Sequence, residues 1–177
     1  LILFDLDGTL IDSAPDLASA VNYMLRQLNL DTFDENLIRS WVGNGAATLV
    51  KRALLGKSDI SDDIDTKLFE NALDIFLSFY KDNLCVDTIL YDGVEQTLKS
   101  LKSDGYKLVI VTNKPYDFVK PILKGLNILD HFELYLGADS LEKKKPDPMP
   151  LLYVANKFNI DINKCVMVGD SKNDIIA

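Results

Sequence analysis

Long apolar runs, paired cysteines and an excess of basic residues are all missing from this sequence, and each absence excludes a class of protein. The longest uninterrupted apolar stretch is five residues, Leu151 to Ala155. A membrane-spanning helix needs ~20, so no membrane partner is expected. No basic segment precedes an apolar stretch at the N-terminus, so no signal peptide is expected. Two cysteines, Cys85 and Cys165, make neither a disulfide framework nor a paired metal-ligand spacing. The expected location is therefore the reducing cytoplasm. The single histidine, His131, follows an aspartate in an expected loop and reads as a surface residue. Basic residues number 19 against 27 acidic ones, for a net charge of −8, which counts against nucleic acid as a partner. An anionic substrate stays possible where a metal, a few lysines or backbone N–H groups make a local exception.

What is present is ordinary globular material. The 177 residues are 47% hydrophobic and 26% charged, enough for a sizeable core and for one domain, with or without an insertion. The chain starts at Leu1, inside an apolar run, and stops at Ala177 just after a helical pattern begins at Asp174. Both ends are expected to belong to a longer chain.

Short apolar runs at 1–4, 107–111, 132–136 and 165–168 read as buried strands. Helical patterns fill the intervals at 93–101, 118–126 and 149–158. Strands alternating with helices predict an α/β fold, a doubly wound parallel sheet covered on both faces. Residues 13–83 break the rhythm with helical patterns alone. Ser13-Ala14-Pro15-Asp16 reads as a helix start with a capping hydroxyl and an acid three residues on. Apolar positions follow at Leu17, Ala20, Val21, Met24, Leu25 and Leu28. Further helices fit 46–55 and 64–80. The expected organisation is a core of 1–12 and 84–177, interrupted by a helical domain of 13–83. Asp59 to Asp65 holds four acids in seven residues and reads as an exposed loop.

The chemistry is concentrated at the strand ends, where open parallel sheets bind their ligands. Asp5-Leu6-Asp7-Gly8-Thr9 follows the first strand. Two carboxylates two residues apart can face one small volume there, and Gly8 allows a sharp turn that brings backbone N–H groups to a ligand. Thr112-Asn113-Lys114 follows the second strand and offers a hydroxyl and an amide. Lys145 comes from a lysine run, its position stiffened by Pro146 and Pro148. Gly169-Asp170 follows the last strand, and Asp174 lies one helical turn further on. Converging carboxylates would repel one another without a cation, and an all-oxygen ligand set suits Mg²⁺. The hydroxyl, amide and ammonium groups would then hold phosphate oxygens. That is a phosphoryl-transfer site with a carboxylate nucleophile.

These motifs resemble the haloacid-dehalogenase superfamily of phosphohydrolases over the whole chain. The resemblance rests on Phe4-Asp5-Leu6-Asp7-Gly8-Thr9-Leu10, Val111-Thr112-Asn113-Lys114, Lys144-Lys145-Pro146-Asp147-Pro148, and Val168-Gly169-Asp170-Ser171 with Asn173-Asp174. Asp12-Ser13-Ala14-Pro15 and Trp41-Val42-Gly43-Asn44-Gly45-Ala46 narrow it to the phosphoglycolate phosphatase subfamily. The resemblance implies Asp5 as nucleophile and Mg²⁺ ligand, and Asp7 as general acid/base lending its backbone carbonyl to the metal. It implies Asp170 as the third ligand with Asp174 supporting it, and Thr112 and Lys145 holding the phosphoryl group. Gly8, Thr9 and Asn113 would line the substrate, and the inserted helices would form a mobile cap. It also implies that the strand ending at Asp170 lies beside the first strand, opposite the strand ending at Thr112, with a further helix and strand beyond Ala177.

The expected function is Mg²⁺-dependent hydrolysis of a small anionic phosphate monoester, 2-phosphoglycolate first, through an aspartyl-phosphate. A phosphosugar mutase and a pyrophosphatase of the same superfamily are the alternatives. Intact Asp5 and Asp7 count against a non-catalytic binding relative. For the substrate carboxylate the candidates are Gly43, Asn44 and Gly45, at the N-terminus of the helix starting at Ala46, where free N–H groups favour an anion. The same three residues also suit a plain tight turn between helices. Arg52, ~10 Å along that helix at 1.5 Å per residue, is expected to pair with an acid instead.

Overall fold

The structure is a computed structural model and describes residues 1–60 and 63–177. Along the chain its elements are β1 (Ile2–Phe4), β2 (Ile11–Asp12), α1 (Ala14–Gln27), α2 (Glu35–Arg39), α3 (Ala46–Leu55), α4 (Thr66–Asp82), β3 (Ile89–Leu90), α5 (Val94–Ser103), β4 (Leu108–Val111), α6 (Tyr116–Gly125), β5 (Leu134–Leu136), α7 (Met149–Phe158), β6 (Val166–Val168) and α8 (Lys172–Ile176). Short 3-10 turns cover Leu129–His131 and Ile162–Lys164. None of the described helices is long and apolar enough to cross a membrane. Part of the acidic stretch from Asp59 to Asp65 lies outside the described residues.

The chain divides into two compact units, Leu1–Asp12 with Ile89–Ala177, and Ser13–Thr88. The first is built on a parallel four-stranded sheet of order β5-β4-β1-β6. Leu3 is in register with Val109 on one side and Met167 on the other, and Val109 and Val111 with Leu134 and Leu136. Side chains alternate across a strand, so Leu3, Val109, Val111 and Leu136 share a face. Leu151 and Val154 of α7 pack on them. All four residues of β4 are buried, which is why its sequence is apolar at consecutive positions rather than alternating. As expected, β6 lies beside β1 on the side away from β4. It is one edge of this sheet, β5 being the other, and Val166 is 56% exposed.

The third strand is shorter than expected, because the Leu129–His131 turn occupies the chain just ahead of it and pairing begins only at Leu134. The two-residue ribbon in which Ile11 and Asp12 pair antiparallel with Leu90 and Ile89 escaped the sequence reading, since two residues carry no periodicity. Helix α2 escaped it too. It is five residues long and starts where the Asp34 side chain accepts from the Asn36 N–H.

In the second unit every described regular element is a helix. Helix α1 buries Leu17, Ala20, Val21, Met24 and Leu25, and α4 buries Ala72, Phe76 and Tyr80. Tyr23 stacks on Phe79 with ring centroids 4.2 Å apart. The capping reading of the α1 start needs correction. Ser13 makes no side-chain cap. The buried Asp16 carboxylate instead accepts from the backbone N–H groups of Val86 (3.1 Å), Asp87 (2.8 Å) and Thr88 (3.0 Å), and from the Thr88 hydroxyl (2.5 Å). This clamp ties 86–88 to α1, and the unit accordingly ends at Thr88, five residues beyond the expected 83.

Asp16→Ala would leave these donors without their acceptor in a buried place. Hydrogen bonds to a charged group are worth ~1.5–3 kcal/mol each, so urea unfolding should show a loss of more than ~3 kcal/mol. Asp16→Glu, which keeps the charge but displaces it, should recover part of that loss.

Candidate active site

Parallel strands bring their carboxyl ends to one side of the sheet, so β1, β4 and β6 deliver Asp5, Thr112 and Asp170 as neighbours. The Asp5 N–H donates to the Val168 carbonyl at 2.9 Å, and Thr112 N–H to the Leu136 carbonyl at 3.0 Å. After β1 the chain turns tightly. The N–H groups of Thr9, Leu10 and Ile11 all point to the Leu6 carbonyl, and Gly8 donates back to Ile11. Gly8 has φ +85°, and a Cβ there would overlap the Asp170 carboxylate. The glycine is therefore required twice, for its conformation and for the close approach of β6's terminal acid.

Four carboxylates and two ammonium groups meet here. The Lys145 ammonium lies 2.6 Å from Asp174 Oδ1 and 3.0 Å from Asp5 Oδ1, with its side chain 1% exposed. The Asp174 contact is a hydrogen bond, whereas the Asp5 contact is an ion pair without hydrogen-bond alignment, which leaves Asp5 Oδ1 buried with no hydrogen-bond partner. Asp174 Oδ2 accepts from the backbone N–H of Ser171 (3.0 Å) and from its hydroxyl (2.7 Å), closing a capping box at the start of α8. The Lys114 ammonium sits 2.9 Å and 3.2 Å from the two oxygens of Asp7. Asn113 donates from its amide to the Lys145 carbonyl at 3.0 Å, so that donor steadies Lys145. The Thr112 hydroxyl accepts from the Lys114 N–H at 3.2 Å. Thr9 Oγ1 stands 3.5 Å from Asp170 Oδ1, at the limit of a hydrogen bond.

Burial pushes the Asp5 carboxyl up to about 6. Lys145 opposes the rise, and the Asp174 and Asp7 charges add to it. Burial also raises Asp170. At Asp174 burial acts in the same direction, but the bonds from Lys145 and Ser171 outweigh it and hold that carboxyl below its ordinary value. Four carboxylates against two ammoniums leave two negative charges, the amount that one divalent cation neutralises. Oxygens of Asp5, Asp170 and Asp174 lie within 4.8 Å of one another. With the unbonded Asp5 Oδ1 among them, this donor set fits a hard cation.

Comparison with known proteins gives the family. The family model for haloacid dehalogenase-like hydrolases matches residues 2–177. The chain belongs to that family. Among curated haloacid dehalogenase-like relatives, the phosphoglycolate phosphatase of Colwellia psychrerythraea is 53% identical over 177 residues, covering 100% of this chain and 78% of that protein. That of Psychrobacter arcticus is 47% identical, covering 100% and 77%. A solved structure described as a predicted phosphoglycolate phosphatase from Haemophilus somnus superposes with a TM-score of 0.92 at 42% identity, covering 100% of this chain and 79% of that one. The chain is thus a haloacid dehalogenase-like hydrolase whose curated relatives are phosphoric monoester hydrolases.

The structure brings Asp5, Asp7, Gly8, Thr9, Thr112, Asn113, Lys145, Asp170 and Asp174 together in the first unit. Gly43, Asn44 and Gly45 belong to the second unit, where Gly45 is the N-cap of α3 with φ +89° and Gly43 has φ +110°. Arg52 departs from its expectation. Its guanidinium reaches back to the Trp41 carbonyl (2.6 Å) and Asn44 Oδ1 (3.0 Å), and its Nε donates to the Ser58 carbonyl (3.0 Å). The turn folds over the helix, so a residue seven positions along still touches it. Among the described residues its partners are neutral oxygens rather than an acid. The sequence reading missed two roles, the pairing of Lys114 with Asp7 and the Ser171 cap on Asp174. Both residues stood inside the motifs, and their directions depend on tertiary contacts.

Two expectations follow. A Gly8→Ala variant should lose ~1–3 kcal/mol from backbone strain, and its displaced Asp170 should weaken any melting-temperature rise on adding a divalent cation. Without metal, Asp5 is protonated more readily folded than unfolded. Its stabilising contribution is present in full below pH 3.8 and is lost as pH rises through about 6. Asp5→Asn removes this dependence. Urea titrations of the metal-free proteins should show the variant gaining ~2 kcal/mol on wild type between pH 4.5 and 7.5.

Proposed function

We propose that this chain is a Mg²⁺-dependent phosphatase of small phosphate monoesters, with 2-phosphoglycolate as its substrate and Asp5 as its nucleophile. The observation that carries the reading is the Asp5 carboxylate, buried at the end of β1, beside the Lys145 ammonium and within 4.8 Å of Asp170 and Asp174. A carboxylate so placed can attack phosphorus while cationic groups neutralise the phosphoryl oxygens. The phosphoglycolate phosphatases that match the whole chain support the substrate class and favour hydrolysis over the mutase and pyrophosphatase alternatives.

In the first half-reaction an Asp5 oxygen bonds to phosphorus and the bond from phosphorus to the leaving oxygen breaks. The leaving oxygen keeps that electron pair and takes a proton from the Asp7 carboxyl. In the second, the Asp7 carboxylate takes a proton from water. The water oxygen bonds to phosphorus, and Asp5 departs as a carboxylate. Asp5, Asp170 and the Asp7 carbonyl would hold the cation, which supplies charge neutralisation for the phosphoryl group. Lys145 would orient that group with Thr112, and Asp174 would fix Lys145. In the second unit, Gly43, Asn44 and Gly45 would read the substrate carboxylate, braced by Arg52.

Phosphate release from 2-phosphoglycolate and para-nitrophenyl phosphate, with and without Mg²⁺, tests this reading. Asp5→Asn should abolish turnover with the fold intact. Asp7→Asn should lose ~10²–10⁴-fold, the usual worth of general acid/base help. Near-wild-type turnover by Asp5→Asn would overturn the assignment. Asn44→Ala should slow phosphoglycolate more than the aryl ester, and an equal fall in both would remove the loop from substrate recognition.

A further inference from the structure

We propose that Lys114 is a positioning residue for proton transfer, holding the Asp7 carboxylate and neutralising the charge left on it when it protonates the leaving group. The inference rests on the phosphatase reading above and deepens it.

Lys114 occupies an unusual place for a lysine. Its side chain is 3% exposed and that of Asp7 12% exposed, and charged side chains so deeply buried are normally paired. Its ammonium contacts both Asp7 oxygens, at 2.9 Å and 3.2 Å, which fixes the rotation of the carboxyl group as well as its location. The two side chains start from different strand ends, Asp7 after β1 and Lys114 after β4, so the pair also bridges two neighbouring central strands. Lys145 cannot substitute, because its ammonium is committed to Asp174 and Asp5.

The chemistry gives this pairing a consequence. When the phosphorus–oxygen bond to the leaving group breaks, that oxygen takes both bonding electrons and the proton of Asp7. A negative charge then appears on the Asp7 oxygens, at the Lys114 ammonium. The benefit scales with how far the leaving oxygen needs protonation. Alkyl phosphates, whose leaving alkoxides are strongly basic, depend on it. Dinitrophenyl phosphate, whose leaving oxygen departs as a stable anion, hardly does.

The experiment uses the full chain with Mg²⁺ and a series of esters from an alkyl phosphate through phenyl phosphate to 2,4-dinitrophenyl phosphate. Lys114→Met, which keeps the bulk but removes the donor and the charge, should lose ~100-fold or more in kcat/KM on the alkyl ester and less than ~5-fold on the dinitrophenyl ester. Lys114→Gln, which keeps a donor, should fall between. It serves as the test variant if Lys114→Met does not fold. In an Asp7→Asn background Lys114→Met should add no further loss, the signature of one residue acting through the other. The Mg²⁺-induced rise in melting temperature should persist in Lys114→Met. A uniform fall across the ester series, an additive loss in the double variant, or disappearance of the Mg²⁺ effect would each overturn the inference. Failure of the wild-type protein to release phosphate from any ester would overturn the phosphatase reading itself, and this inference with it.

Discussion

The constraint on which the site depends is the crowding of carboxylates, Asp5 and Asp174 buried and Asp170 exposed, at the ends of adjacent parallel strands. Strands in a sheet lie about 4.8 Å apart, so Asp5 after β1 and Asp170 after β6 have no room to avoid each other. Asp5 is shielded from water, whereas Asp170 faces it. Lys145 answers part of this by placing one ammonium against both Asp5 and Asp174, and Lys114 answers another part at Asp7. Two negative charges remain over. Desolvation, with the neighbouring carboxylate charges adding to it, raises Asp5 and Asp170 toward neutrality, and the charge left over prepares the cluster for a divalent cation.

Much of the local structure serves to make that crowding possible. Gly8 and Gly169 occupy positions where a Cβ would overlap the carboxylates of Asp170 and Asp174 respectively, so the backbone itself forms part of the packing around the acids. Asn113 holds the Lys145 carbonyl, and Ser171 holds Asp174 while starting α8. Lys145 and Asp174 are thus each steadied by a polar neighbour. The helical unit follows a similar logic on its own scale. Asp16 binds the returning segment 86–88, and Arg52 secures the turn that begins α3.

The parallel sheet, the strand ends and the family were legible in the sequence, because each rests on local information. Consecutive apolar residues in β4 announce burial on both faces, and Asp5-Leu6-Asp7-Gly8-Thr9 is a contiguous signature. The helical character of 13–83 was equally legible from the apolar spacing along α1, α3 and α4. The Ile11–Asp12 ribbon, helix α2 and the unit boundary at Thr88 were not. The ribbon and the boundary depend on pairing and clamping between residues 70 or more positions apart, which no window of sequence contains together, and the five-residue α2 is too short to show a period.

The same division holds inside the site. The sequence by itself determined which groups arrive, since the motifs place Asp5, Asp7, Thr112, Lys145, Asp170 and Asp174 at strand ends that a parallel sheet must align. Only the tertiary structure decided which group faces which. Lys145 chooses Asp174 and Asp5, Lys114 chooses Asp7, Asn113 turns to a backbone carbonyl, and Arg52 folds back onto its own helix start. Those choices are made by distance and burial, because a charge removed from water takes the nearest partner that compensates it, and the identity of that neighbour exists only once the chain has folded.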